Sequence, residues 1–150
     1  REIVFVLTIP DDEPGLAQLN ADAERLGVTR YINNLGRLSL ADAVKLYASV
    51  DACFMPSLLE TFSANYPEAM STGRPLIASD LDFARAICGD AAKYFAATSP
   101  VAAAESIVEL LRSPDEWRRL ILAGRREVAK LPTPAEKYSS YEELIRETVA

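Results

Sequence analysis

Glu60 and Glu68 stand eight residues apart in the stretch PSLLETFSANYPEAMSTGRPLIASD, residues 56–80. An ionised carboxylate only accepts hydrogen bonds, so a pair of them suits the vicinal hydroxyls that a ribose or a hexose presents. Between them lie Thr61, Phe62, Ser63 and Ala64, of which Ser63 and Ala64 are small enough to let an anion approach the backbone. Pro67 sets the start of a helix near Ser63 or Ala64, because proline costs little only in the first turn, where its missing N–H has no intrahelical partner. Tyr66, preceding that proline, resists helical angles, which predicts an irregular first turn. The amides from Thr61 to Ala64 and the positive end of the helix then form a phosphate site that needs no lysine. Glu68 sits about one turn inside, and helical side chains tilt toward the N-terminus, so its carboxylate reaches back toward the same place. Two carboxylates flanking an anion hole fit a ligand with a sugar, a phosphate and a second sugar in series. The spacing alone is a weak signal, since glutamates eight apart recur by chance in acidic chains; the surrounding elements carry the reading.

Other residue types narrow the chemistry. Histidine is absent, which removes Ser-His-Asp and Cys-His nucleophile systems and the commonest zinc ligand. Cys53 and Cys88 lie far apart among apolar residues and read as buried free thiols rather than as a metal or redox pair. Asp80-Leu81-Asp82 could hold a divalent cation, but no further acidic cluster completes an octahedral site. Capping of the next helix by Asp80 or Asp82 is the favoured role, and Arg85 reads as a solvated helix face. No bound metal is expected. The net charge of −6 and the pI of about 4.7 argue against nucleic acid or anionic lipid as partners. A small-molecule ligand fits better.

The elements that position these residues alternate in type. The run EIVFVLT, residues 2–8, reads as a strand covered on both faces. A helix follows, with Asp12 as its cap, Pro14 in its first turn, an apolar stripe of Leu16, Leu19, Ala23 and Leu26, and Gly27 as its stop. TRYINNLG is a weaker strand, and Ser39 with Asp42 makes a capping-box start for a helix through Tyr47 and Ala48. DACFMPS is a strand, the helix bearing Glu68 ends near Gly73, and RPLIAS is a strand. FARAIC forms a helix closed by Gly89, and AKYFA is a short last strand. Beyond it, Ser99-Pro100, Ser113-Pro114 and Thr133-Pro134 each pair a hydroxyl cap with a proline at the first helical position. Glu116 and Glu136 complete two capping boxes. Trp117, Leu120 and Ile121, then Tyr138, Tyr141, Leu144 and Ile145, are read as packing stripes.

This pattern predicts an α/β fold: a Rossmann-like open, mostly parallel sheet with helices on both faces and a helical C-terminal tail. The 150 residues, 49% hydrophobic and 25% charged, fit one domain with a real core. In such sheets ligands sit outside the carboxyl ends of the strands, where the loop at Glu60 falls. No apolar run approaches the roughly 18 residues of a membrane span, so a cytoplasmic location is expected. The chain begins on Arg1 and reads as a piece of something longer.

With these elements in place, the quoted stretch resembles the signature of retaining glycosyltransferases of the GT-B fold, family 4 type (group 1). Pro56-Ser57, Glu60, Phe62, Ser63, Glu68-Ala69-Met70, Gly73 and Pro75 carry the match. LGRLSLADAVKLYASVDACFMPS before it and GDAAKYF after it extend the resemblance over most of the chain. The resemblance implies a nucleotide-sugar donor, such as a UDP- or GDP-sugar, with Glu68 on the ribose hydroxyls and Glu60 on the donor hexose as the catalytic residue. It also implies the diphosphate at the backbone of Phe62, Ser63 and Ala64, with Thr61 beside them in the donor-binding set, and the nucleobase beside Gly36, Arg37 and Leu38. Sugar transfer with retention at the anomeric carbon follows, needing no cofactor or metal. Thr61 and Ser63 depart from the glycines many members carry, which leaves the loop backbone less free.

The family's opening strand, with its phosphate-pairing Arg and Lys, and the acceptor-binding N-terminal domain are expected upstream of Arg1. The chain is then a single donor-binding domain truncated at its N-terminal edge, inactive alone. A glycan or lipid acceptor, and any peripheral contact with the inner membrane, belong to the missing parts. A GT-B sugar-nucleotide epimerase, a metal-dependent DxD enzyme and a non-catalytic binding module remain as alternatives.

Overall fold

Proline and glycine punctuation decides where this chain bends. In the computed structural model, residues 2–149 are described, and they divide into two compact units, the first ending at Leu46 and the second opening at Tyr47. The first unit contains strand β1 (Phe5–Leu7), helix α1 (Pro14–Arg25), a 3-10 turn at Thr29–Tyr31, strand β2 (Ile32–Asn34) and most of helix α2 (Leu40–Ser49). β1 and β2 pair in parallel, Phe5 opposite Ile32 and Leu7 opposite Asn34.

Both strands are shorter than their apolar runs, because a strand extends only as far as its ladder partner, and Thr29–Tyr31 coils instead of pairing. α1 starts at Pro14 as expected, but its cap is Glu13, an extended residue that makes no side-chain capping bond, and not Asp12. The helix ends in a Schellman motif: Gly27, at φ 68°, donates to Glu24 O, and Val28 donates to Ala23 O. That turn leaves Leu26 outside the stripe, 62% exposed, while Ala23 is buried. Ser39 and Asp42 form the expected start of α2, the Asp42 amide donating to Ser39 Oγ at 3.2 Å and the hydroxyl donating to Asp42 Oδ2 at 2.7 Å.

The second unit is built on strands β3 (Cys53–Met55), β4 (Leu76–Ser79) and β5 (Ala92–Phe95), all parallel with β4 central. Helices α3 (Asn65–Ser71), α4 (Asp82–Cys88), α5 (Pro100–Arg112), α6 (Pro114–Val128) and α7 (Pro134–Val149) complete it. The four residues of β4 are all buried, and their side chains alternate between two faces. Leu76 and Ala78 join Tyr66, Ala69 and Met70 of α3, Ala84 and Cys88 of α4, and Ala123 of α6. Ile77 points the other way, to Phe95, Ala103, Leu110 and Leu120, with Phe54 stacked on Phe95 at 5.4 Å. Helices therefore cover both faces of this sheet.

The hydroxyl-proline pairs start their helices where expected. Ser99 Oγ accepts from the Ala102 amide and Ser113 Oγ from the Glu116 amide. Thr133 and Glu136 complete a reciprocal box. Glu116 does not return its bond, because Arg119 takes both of its carboxylate oxygens, at 2.7 and 2.8 Å. The α7 stripe departs further from expectation. Tyr138, Tyr141, Leu144 and Ile145 are 58–65% exposed, since α5 and α6 already close the core and leave that stripe without cover among the described residues.

Gly124 on α6 meets α3 so closely that an added Cβ would lie 3.1 Å from Met70 Cγ and 3.3 Å from Met70 Cβ. Gly124→Ala is expected to lower stability by about 1 kcal/mol net, overpacking outweighing the gain in helix propensity, measurable as a shift in urea midpoint.

The two thiols carry a pH signature. Burial pushes Cys53 up from 9.0 to about 11 despite nearby Arg74, and burial with the Glu127 charge pushes Cys88 up from 9.0 to about 12. The fold holds both protons more tightly than the unfolded chain, so this stability is complete below about pH 9 and is lost as pH climbs through 11 and 12. Each thiol should remove about 1.4 kcal/mol per pH unit in that window. Denaturation midpoints at stepped alkaline pH check it, and the Cys53→Ala/Cys88→Ala variant should flatten the slope.

Candidate functional site

Pro56 ends β3, and the chain crosses from the carboxyl edge of the sheet to α3 through residues 56–64. α3 begins at Asn65 with Ala64 as its cap, one residue beyond the expected start. Contrary to the expected irregularity, Tyr66 is helical before Pro67. Its ring is fully buried in the core, and Pro67 occupies the third helical position, whose N–H has no intrahelical partner in any residue. The helix is seven residues long. Such a short helix has a weak dipole, so whatever its start can attract rests on individual amides.

Those amides are at hand. Among the described residues, no backbone hydrogen bond outside helices and strands uses the N–H of Thr61, Phe62, Ser63 or Ala64. The first bond at this end runs from Glu68 N to Ala64 O at 3.0 Å. Ser63 is buried, whereas Thr61, Ala64 and Phe62 face solvent, Phe62 at 62% exposure.

The two carboxylates bracket this run on one connection. Glu60 is half-buried and accepts a hydrogen bond from Ser57 Oγ at 3.1 Å. Glu68, also half-buried, lies one turn into α3, and its charge acts on the phenol of Tyr47. The Tyr66 phenol, inside the core, has no hydrogen-bond partner among the described residues. Burial first, then Cys88, then the Glu60 charge push it up to about 12, so it stays a neutral donor.

The far end of α3 is tied down by its own turn. Gly73, at φ 72°, donates to Met70 O, and Arg74 N donates to Ala69 O, a second Schellman motif. The turn aims Arg74 at the last turn of α2, where its Nε donates to Tyr47 O at 3.1 Å and Nη2 to Ala48 O. Ser57, Tyr47 and Arg74 were not among the expected site residues. Ser57 had a readable signal, a hydroxyl three residues before a glutamate, whereas Tyr47 and Arg74 had none, because their partners are set by tertiary packing.

The DxD reading fares differently. Asp80 is not a cap: its oxygens pair with the Arg85 guanidinium, one contact at 2.9 Å, which holds its carboxyl below the usual range. The same guanidinium lies 4.3 Å from the Tyr94 ring centroid, so Arg85 is engaged on two sides rather than merely solvated. Asp82 is the first residue of α4, accepting from the Phe83 amide, and the cap is Leu81, with no side-chain bond. Among the described residues, no three His, Cys, Asp or Glu are grouped to hold a metal ion. Both thiols are buried and unpaired with each other, as expected.

The segment expected beside the nucleobase belongs to the first unit. Gly36 takes φ 69° and its amide donates to Asn34 Oδ1 at 3.4 Å. The Asn34 amide group also accepts from Ile9 N and donates to Ile9 O, acting as one more rung beyond the β1 and β2 ladder. Arg37 is exposed, 3.8 Å from Asp12, and Leu38 is half-buried. Among the described residues no helix is long and apolar enough to cross a membrane.

The family model for glycosyl transferases group 1 matches residues 3–113. The chain is 30% identical over 132 residues to MMP alpha-(1->4)-mannosyltransferase of Mycolicibacterium hassiacum, covering 83% of this chain and 32% of that protein. It is 30% identical over 128 residues to phosphatidyl-myo-inositol mannosyltransferase of Mycobacterium leprae, covering 80% and 34%. The chain thus spans about a third of the curated relatives it matches. Among solved structures, Anabaena HepE in complex with UDP and glucose superposes with a TM-score of 0.83 at 18% identity, covering 95% of this chain and 40% of that one. Sucrose-phosphate synthase of Thermosynechococcus elongatus gives 0.82 at 20% identity, covering 99% and 38%.

Arg74→Ala removes two charge-assisted bonds that join α3 to α2, and is expected to lower unfolding free energy by about 2 kcal/mol. Urea denaturation checks it.

Proposed function

The chain belongs to the glycosyl transferases group 1 family and has the GT-B fold, and from that premise we propose that it is the donor-binding domain of a retaining glycosyltransferase. The donor is a nucleotide diphosphate sugar, and the acceptor, a glycan, a lipid or a small molecule, is bound by the rest of the protein. One observation carries the reading. Four loop amides without backbone partners lie between two half-buried carboxylates, a layout that complements sugar, diphosphate and sugar in sequence.

In this reading Glu68 accepts the ribose hydroxyls and the amides of Thr61, Phe62, Ser63 and Ala64 receive the diphosphate. Glu60, steadied by Ser57, accepts hydroxyls of the donor sugar. Gly36, Arg37 and Leu38 face the nucleobase. The chemistry is electrostatic: donors already in place stabilise negative charge that grows on the leaving diphosphate, without rearranging as it grows. Glu60 acts by holding the sugar in register with that charge, so its loss lowers turnover more than binding. The presence of UDP and glucose in the HepE structure supports a nucleotide and a sugar as ligands of this fold. No metal or organic cofactor enters the scheme, and the enzyme works in the cytoplasm or at its membrane face.

Titration calorimetry of the full-length protein with UDP and GDP, with and without EDTA, tests the proposal. One of the two should bind in EDTA, and Glu68→Ala should weaken it about tenfold or more, the loss of hydrogen bonds to a charged group. Glu60→Ala should lower turnover at least about a hundredfold while nucleotide affinity holds within a few-fold. Absence of any nucleotide binding would point instead to an interaction module, and strict magnesium dependence to chemistry at Asp80 and Asp82.

A further inference from the structure

We infer that Tyr47 is a positioning residue for Glu68, setting through its hydroxyl bond to Asn65 the carboxylate geometry that selects a ribose over a deoxyribose. The inference rests on the donor-binding reading and deepens it.

α3 has two weaknesses as a support for a binding carboxylate. At seven residues it is too short to be stable by itself, and its cap, Ala64, offers no side-chain bond to the amides of the first turn. The C-terminal end is secured by the Gly73 turn and by Arg74 on α2. At the other end, Tyr47 tethers the helix from outside, its hydroxyl donating to Asn65 Oδ1 at 3.1 Å.

Asn65 and Glu68 are three residues apart and so lie on one helix face. Tyr47 itself is firmly placed, half-buried in the last turn of α2, with its carbonyl oxygen taken by Arg74. Burial, then the Glu68 carboxylate, then Cys53 hold its phenol well above the ordinary range, so the proton stays on oxygen at working pH. The hydroxyl gives that proton to Asn65 Oδ1, which leaves the carboxylate oxygens of Glu68, three residues on along the same face, to a diol. Because Arg74 already joins α2 to α3, the hydroxyl is not needed to keep the helices together, and its distinct contribution is the orientation of Asn65 and Glu68.

The test compares UDP with 2′-deoxy-UDP, and GDP with 2′-deoxy-GDP, by calorimetry on the full-length protein. The wild type is expected to prefer the ribonucleotide about tenfold or more, and Glu68→Ala to erase the preference. Tyr47→Phe, which removes one oxygen, is expected to weaken the ribonucleotide about three- to tenfold and leave the deoxynucleotide within twofold, with an unchanged melting temperature. Asn65→Ala cuts the same bond at an exposed residue and should give the same selective loss. Equal weakening of both nucleotides by Tyr47→Phe, or an undiminished ribose preference, overturns the inference while a normal Glu68→Ala result leaves the donor site standing. If Tyr47→Phe does not fold, Asn65→Ala decides alone, and an undiminished preference there overturns it. A wild-type protein that binds none of the four nucleotides overturns both readings.

Discussion

A helix of two turns cannot hold its own shape in water, since nucleation is unfavourable and too few bonds follow to repay it. The second unit depends on solving that problem for α3, the helix that carries Glu68. It is solved from outside on several sides. Tyr66, Ala69 and Met70 are buried against β4, α4 and α6, and Gly124 lets α6 approach to contact distance with Met70. Arg74 fastens the exit of the helix to α2, and Tyr47 fastens its entrance. The position of Glu68 is therefore a property of the core and of two polar tethers, and local propensity has little part in it.

The same constraint explains why a proline is tolerated inside so short an element. Pro67 lacks an amide at a position where none could be satisfied, and the strain it places on Tyr66 is offset by complete burial of a large ring. Burial leaves the Tyr66 hydroxyl without a partner among the described residues, a price of roughly 1–3 kcal/mol at a typical buried site.

Legibility in the sequence follows the range of the forces involved. Elements set by local rules were readable: the Ser-Pro and Thr-Pro helix starts, the glycine stops at Gly27 and Gly73, and the buried parallel strand at Leu76–Ser79. The departures arose where a competing partner decides, distant in sequence for the strands and a few residues away for the carboxylates. Strand lengths followed their ladders and not their apolar runs. Asp80 serves Arg85 instead of a cap, and Glu116 serves Arg119 instead of returning to Ser113. The stripe of Tyr138, Tyr141, Leu144 and Ile145 has helical spacing, as read, yet it remains exposed, because periodicity reports an amphipathic face and not what meets it. At the candidate site, Glu60, Glu68 and the small residues between them were legible because they share one connection. Tyr47 and Arg74 were not, since hydrogen bonds between residues 18 to 27 positions apart join them to it.

Two carboxylates eight residues apart suggest at first an acid and base pair, but their surroundings favour another role. A general acid at neutral pH needs its proton held by an apolar pocket or a neighbouring anion. Glu60 instead accepts a hydroxyl hydrogen bond from Ser57, and the amides between the two glutamates are donors as well. Hydroxyl hydrogens turned toward the carboxylates and phosphate oxygens turned toward the amides satisfy each group without moving a proton. In the proposed reading, the site acts by preorganised charge, and the short helix matters because preorganisation fails as soon as its support can move.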